Sequence, residues 1–224
     1  LLTQAAILKV TANATATSPV LRGVWVTERI LGIPIKPPPP NIPAIEPDAS
    51  GAVTIREQIE QHRADRACAS CHRVMDPPGL ALESFDVIGG WRDRYRAGGR
   101  PQKIKVPGQK QKVLVPTIEV LGGNGRITRI RLGGQVDPSG VLPDGREFDN
   151  LQSLKQLLLE DRDQLARNVA QKLAMYATGR GHRYTDREII DSIVSGAKPS
   201  NYGMRTLIEG VVLSKLFRGE EMAE

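Results

Sequence analysis

The run Cys68-Ala69-Ser70-Cys71-His72 places two thiols one helical turn apart, with an imidazole directly behind the second. Thiols at this spacing reach the two vinyl groups on one porphyrin edge and form thioethers with them, and the adjacent histidine then lies beneath the iron. The spacing predicts one covalent haem c, with His72 as proximal iron ligand. The following Met75-Asp76-Pro77-Pro78-Gly79 reads as a turn. There the Pro77 carbonyl is expected to accept the other ring N–H of His72, fixing its tautomer and raising its basicity.

Three other readings of the same residues stay open. A disulfide between Cys68 and Cys71 would close only a small ring and add little stability. A thioredoxin-like redox pair expects the motif to open a helix after a strand, whereas a helix is predicted ahead of this one. A zinc site needs four ligands from an inventory of two Cys and three His, and His72 beside Cys71 is poorly spaced for it.

Outward from the motif, Thr54 and Glu57 form a capping-box pattern for a helix running to about Arg66, with Ile55 and Ile59 on one side. Residues 1–19 read as extended, and a helix is expected from about Val20 to Leu31, stopped by Gly32. Pro34-Ile35-Lys36-Pro37-Pro38-Pro39-Pro40 predicts a polyproline II strap. After the motif, a short helical stretch is expected from Leu80 to Phe85. Lys112–Leu121 and Arg126–Leu132 flank Gly122-Gly123-Asn124-Gly125, the pattern of a β-hairpin.

The last third reads as helical. One helix is capped by Asp161 and stopped by Gly179, with Leu165, Val169, Leu173 and Tyr176 on its apolar face. A second starts at Thr185 and Glu188, and a third buries Met204, Leu207, Ile208, Val211 and Val212. The expected architecture is mainly α: a cytochrome c-like helical haem domain over residues 1–100, a small β-hairpin insertion over 101–135, and a C-terminal helical domain over 136–224. The apolar stripes of the last domain need a lid and no Gly/Ser linker intervenes, so the parts are expected to fold as one unit.

Composition narrows the function classes. Aromatic residues make up only 4% of the chain, so the core must rest on aliphatic stripes and gains from a flat apolar cofactor. The net charge of +6 is spread without an aromatic-interleaved basic stripe, which argues against nucleic acid and for an acidic redox partner or anionic surface. No apolar run approaches the roughly eighteen residues that span a bilayer, so no integral membrane segment is expected.

Two stretches carry a family resemblance. The first comprises Thr17-Ser18-Pro19-Val20, Arg22-Gly23, Trp25, the proline run, the cysteine motif, Met75-Asp76-Pro77, Gly79, Ala81-Leu82-Glu83, Phe85-Asp86, Gly89 and Trp91-Arg92. The second comprises Asp137, Ser139-Gly140, Leu142-Pro143-Asp144-Gly145, Lys172-Leu173, Tyr176-Ala177, Gly179-Arg180, Asp186-Arg187, Tyr202-Gly203, Arg205-Thr206-Leu207-Ile208, Ser214 and Phe217. Together they resemble the C-terminal cytochrome module, two adjoining domains of unknown function, of large secreted multi-domain proteins abundant in planctomycetes and related bacteria. The resemblance implies further domains or subunits ahead of residue 1, a periplasmic or otherwise extracytoplasmic location, and a variable insertion over 103–135.

Within this frame Met75, Phe85 and Trp91 are candidates to wall the haem. Met75 is too close to His72 in sequence to reach the opposite face as a ligand. Arg22, Arg92 and Arg180 are candidates for the propionates, because arginine recognises carboxylates bidentately. For the distal iron position His182, in a turn between helices, ranks first and Met204 next. No catalytic constellation is recognisable. The expected function is electron transfer between another domain or subunit and a donor or acceptor protein, with a peroxidase-like haem oxidoreductase as the alternative.

Overall fold

The computed structural model describes residues 1–13, 16–37, 54–97, 103–104, 110–111, 113–114, 117–121 and 125–219. The chain is helix-rich with a small antiparallel sheet. It divides into two compact units: Leu1–Val26 with Ile35–Leu154, and Thr27–Pro34 with Lys155–Glu224.

The first unit begins with α1 (Ala5–Val10), where an extended segment was expected. Ala-Ala-Ile-Leu-Lys favours helix, and Leu8 on it is fully buried. α2 (Pro19–Trp25) starts where Ser18 accepts the amide of Leu21 and Pro19 supplies a preset φ. The helical path continues as a π turn over Val26–Ile30, and Gly32 at φ 71° ends it, as the sequence indicates. Of the proline strap, Pro38 to Pro40 lie outside the described residues.

α3 (Ile55–His62) carries the full capping box, with Thr54 and Glu57 bonded reciprocally. It ends earlier than Arg66, and a new helix, α4 (Arg66–Leu80), contains the whole cysteine motif and also Met75 to Gly79. The expected turn over 75–79 is therefore helical, and the stretch after Leu80 is not. Pro77 and Pro78 sit inside α4; they withhold two amide donors but stay within it because the backbone there is braced against α2. On α4, positions 68, 72, 75, 76 and 79 recur at helical spacing, and Cys68, His72, Met75 and Asp76 along that stripe are all buried.

Downstream, β4 (Thr117–Leu121) and β5 (Ile127–Gln135) form the expected hairpin, whose turn residues 122–124 lie outside the described residues. An unforeseen strand, β1 (Arg94–Ala97), pairs with the other edge of β5, giving a sheet of order β1-β5-β4. Two short pairs, β2 (Lys103–Ile104) with β3 (Val113–Leu114) and β6 (Gly140–Val141) with β7 (Glu147–Phe148), complete the strands among the described residues. Ile55, Ile59 and Leu80 are buried together, with Val20 and Tyr95 against them. α5 (Leu151–Glu160) follows, started by Asn150, whose side chain accepts the amides of Gln152 and Ser153.

In the second unit α6 (Arg162–Thr178) is capped by Asp161 and closed by Gly179 in the left-handed region. Of the expected Leu165–Tyr176 stripe, Val169 and Leu173 pack against the core while partly exposed, and they do not form its most deeply buried row. Ala166, Ala170 and Ala174 are the residues buried against α7 (Arg187–Ala197) and α8 (Met204–Leu213), while Tyr176 is 90% exposed. Small side chains let helices approach closely, so the alanine row wins over the larger residues beside it. Asn168, on the side that reads as polar, is buried and donates to the carbonyls of Arg29 and Ile30, while Gln164 donates to that of Leu31. α8 buries Leu207 and Val211, and leaves Met204 at its first position 56% exposed; α9 (Lys215–Arg218) ends the described chain.

Candidate functional site

The site is built on α4. Its first turns are set by the Asp65 carbonyl, which accepts the amides of Cys68 and Ala69. Cys68 is buried and Cys71 half-buried, and both are free thiols. His72 is buried, and its Nδ1 lies 2.9 Å and 3.1 Å from the two carboxylate oxygens of Asp76. Asp76 is fully buried. The partner expected for this nitrogen, the Pro77 carbonyl, instead accepts the amide of Ala81 at 3.1 Å. An i, i+4 carboxylate on the same helix reaches the ring directly, whereas a carbonyl inside a helix is turned along the axis toward its own chain.

Asp76 was legible only as an i, i+4 pair, a signal that disappears once 75–79 is taken for a turn. The second residue missed is His62. Its ring meets that of His72 edge-on, with centroids 4.8 Å apart and planes at 66°. The end of α3 and the tight turn into α4 bring it there.

The glycines explain how α4 is held. A Cβ on Gly23 would collide with the Met75 carbonyl, and one on Gly79 with the Pro19 carbonyl, so α2 and α4 cross backbone to backbone. Met75 is thus part of the helix crossing and is buried in it.

Below α4 lies a buried ionic network. Glu83 accepts from Thr17 at 2.7 Å, from Arg22 at 3.2 Å and from Arg92 at 2.9 Å. Arg22 also donates to the carbonyls of Leu82, Phe85 and Asp86, and Arg92 to that of Glu83. Burial pushes the Glu83 carboxyl up, with Arg92 and Arg22 pulling it back, and pushes the Arg22 guanidinium down against the pull of Glu83. Burial, with Glu83 nearby, likewise raises the Tyr95 phenol. Arg22 and Arg92, candidates for propionate recognition, are placed as the partners of an internal carboxylate.

Phe85 is half-buried and stacks edge-on against Trp91 at 5.3 Å, but Trp91 itself is 61% exposed and donates to Asp93. Arg180, His182 and Met204 belong to the second unit. There Arg180 clasps Asp186 through both terminal nitrogens, and His182 lies 3.7 Å from the same carboxylate. The Arg180 hydrogen bond holds the Asp186 carboxyl down at about 2. Met204 stands exposed at the start of α8.

The donor set suits a haem: two free thiols and an imidazole share one helix, and the Asp76 bond commits Nδ1 and leaves Nε2 as the ring nitrogen for a metal. Among the described residues no three His, Cys, Asp or Glu side chains converge as a metal cage.

This is a helix-rich, two-unit protein whose first unit presents a C-x-x-C-H helix over a buried Arg–Glu–Arg network. Residues 1–95 match the family model described as protein of unknown function DUF1588, and residues 144–217 match that described as protein of unknown function DUF1585. No curated protein and no solved structure matches it. Among the described residues no helix is long and apolar enough to cross a membrane.

Proposed function

We propose that the chain is an extracytoplasmic c-type cytochrome module that transfers electrons through one haem, bound covalently by Cys68 and Cys71 with His72 as its proximal ligand. The observation that supports this reading most is the state of His72: a buried imidazole beside two free thiols, with Nδ1 bonded to a buried carboxylate and Nε2 left for iron. The haem supplies a one-electron couple in a low-dielectric surround. The protein's part is to grip the porphyrin edge through α4, fix the His72 tautomer through Asp76, and keep α4 rigid through the glycine crossing with α2. The partners are a donor or acceptor protein and further domains or subunits of a larger redox protein.

The test is the pyridine haemochrome of protein made with haem c maturation. A spectrum of two thioether bonds from a haem that survives acid-acetone extraction is expected, with Cys71→Ser weakening or abolishing the attachment. A colourless protein holding stoichiometric zinc refutes the reading.

A haem-dependent oxidoreductase is the second reading. One observation favours it: a carboxylate on the proximal histidine stabilises ferric and higher-charged iron, as a catalytic haem requires. Rapid CO binding to the reduced protein supports the oxidoreductase, and a six-coordinate form inert to CO supports electron transfer.

A further inference from the structure

Asp76 is hard to explain as a contribution to stability. Its side chain is completely buried, and burying a carboxylate is unfavourable unless its partners offset the lost hydration. Both of its oxygens accept from one atom, Nδ1 of His72. A buried ion pair breaks even only when further hydrogen bonds satisfy the carboxylate, and both oxygens here address one nitrogen. The Pro77 carbonyl accepts the Ala81 amide within the chain's own helical ladder. The acceptor that the fold supplies to the ring is thus a carboxylate.

Such an acceptor matters most when the opposite nitrogen carries a metal. A carboxylate on Nδ1–H draws the proton toward itself and increases electron donation from Nε2, which stabilises the oxidised metal more than the reduced one. Its negative charge, held in a low dielectric, acts in the same direction. We propose that Asp76 is a positioning residue that makes His72 a strongly donating axial ligand and sets a low reduction potential for the haem. The inference rests on the haem reading above.

The experiment uses the intact holoprotein. Haem attachment is first established by pyridine haemochrome, and spectroelectrochemical titration then compares wild type, Asp76→Asn and Asp76→Glu. Asp76→Asn is expected to shift the ferric–ferrous equilibrium at least tenfold toward ferrous, about 59 mV for a one-electron couple, and Asp76→Glu to restore part of it. An independent readout comes from wild type in either coordination state: the iron–histidine stretch of the ferrous form where it is five-coordinate, or the crystal-field splitting of the low-spin ferric resonance where it is six-coordinate, each expected in the range of carboxylate-bonded histidines. Covalent haem with a potential unmoved in Asp76→Asn overturns this inference alone, and so does a wild-type value in the range of neutral, carbonyl-bonded histidine. That spectrum decides the matter even if the variants fail to fold. A wild type without covalent haem overturns the haem reading and this inference with it.

Discussion

Gly23 and Gly79 meet across the crossing of α2 and α4 with no side chain between them, each pressed against the backbone of the other helix. The neighbours are backbone atoms, which cannot swing aside as a flexible side chain would. Gly23→Ala and Gly79→Ala are each expected to destabilise the first unit by about 3 kcal/mol. Thermal or urea unfolding checks this, and an alanine variant melting with wild type contradicts the backbone contact.

Glu83 lies between two guanidiniums with its side chain fully buried. Glu83→Gln keeps the shape but leaves Arg22 and Arg92 facing each other without a counter-charge. Breaking one partner out of a buried pair costs about 3–5 kcal/mol, and a loss of that size is expected in urea unfolding. A change below about 1 kcal/mol would mean that the arginines are held by their backbone carbonyls instead.

Asn168 closes the carbonyl ends of the π turn after α2. Asn168→Ala leaves the Arg29 and Ile30 carbonyls without this donor, at a cost of about 2 kcal/mol. Faster amide exchange over residues 26–34 is expected, with the far end of α7 unaffected.

Asp186 is bound by Arg180 and held at about 2, below its ordinary 3.8. A carboxyl with a lowered folded-state pKa adds stability above its unfolded pKa and loses it as pH falls through the folded one. The unfolding midpoint is therefore expected to fall as pH drops from about 4 to about 2. Asp186→Asn should be less stable at neutral pH and show a flatter acid limb; an equal slope in both proteins removes Asp186 from the account.

Local signals in the sequence determined a good deal. The Thr54–Glu57 box, the Asp161 cap, the Gly32 and Gly179 stops and the hairpin pair each depend on a few neighbouring residues, and all appear where the sequence puts them. The C-x-x-C-H spacing is equally local, because the separation of thiols and imidazole is fixed by the chain itself. Tertiary packing decided the rest. It turned 75–79 into helix against the propensity of two prolines, because Gly79 docks on α2. It chose alanines over larger residues for the buried face of α6. It drew Arg22 and Arg92 onto Glu83, more than sixty residues along from Arg22, and so took two arginines that read as cofactor ligands for an internal charge. It also brought His62 to His72 and placed Asp76 on the ring nitrogen that sequence spacing assigned to a proline carbonyl. Caps and motifs are set by bonds within a turn or two, whereas partners of buried charges depend on which helices share a core, and pattern along a single chain does not encode that.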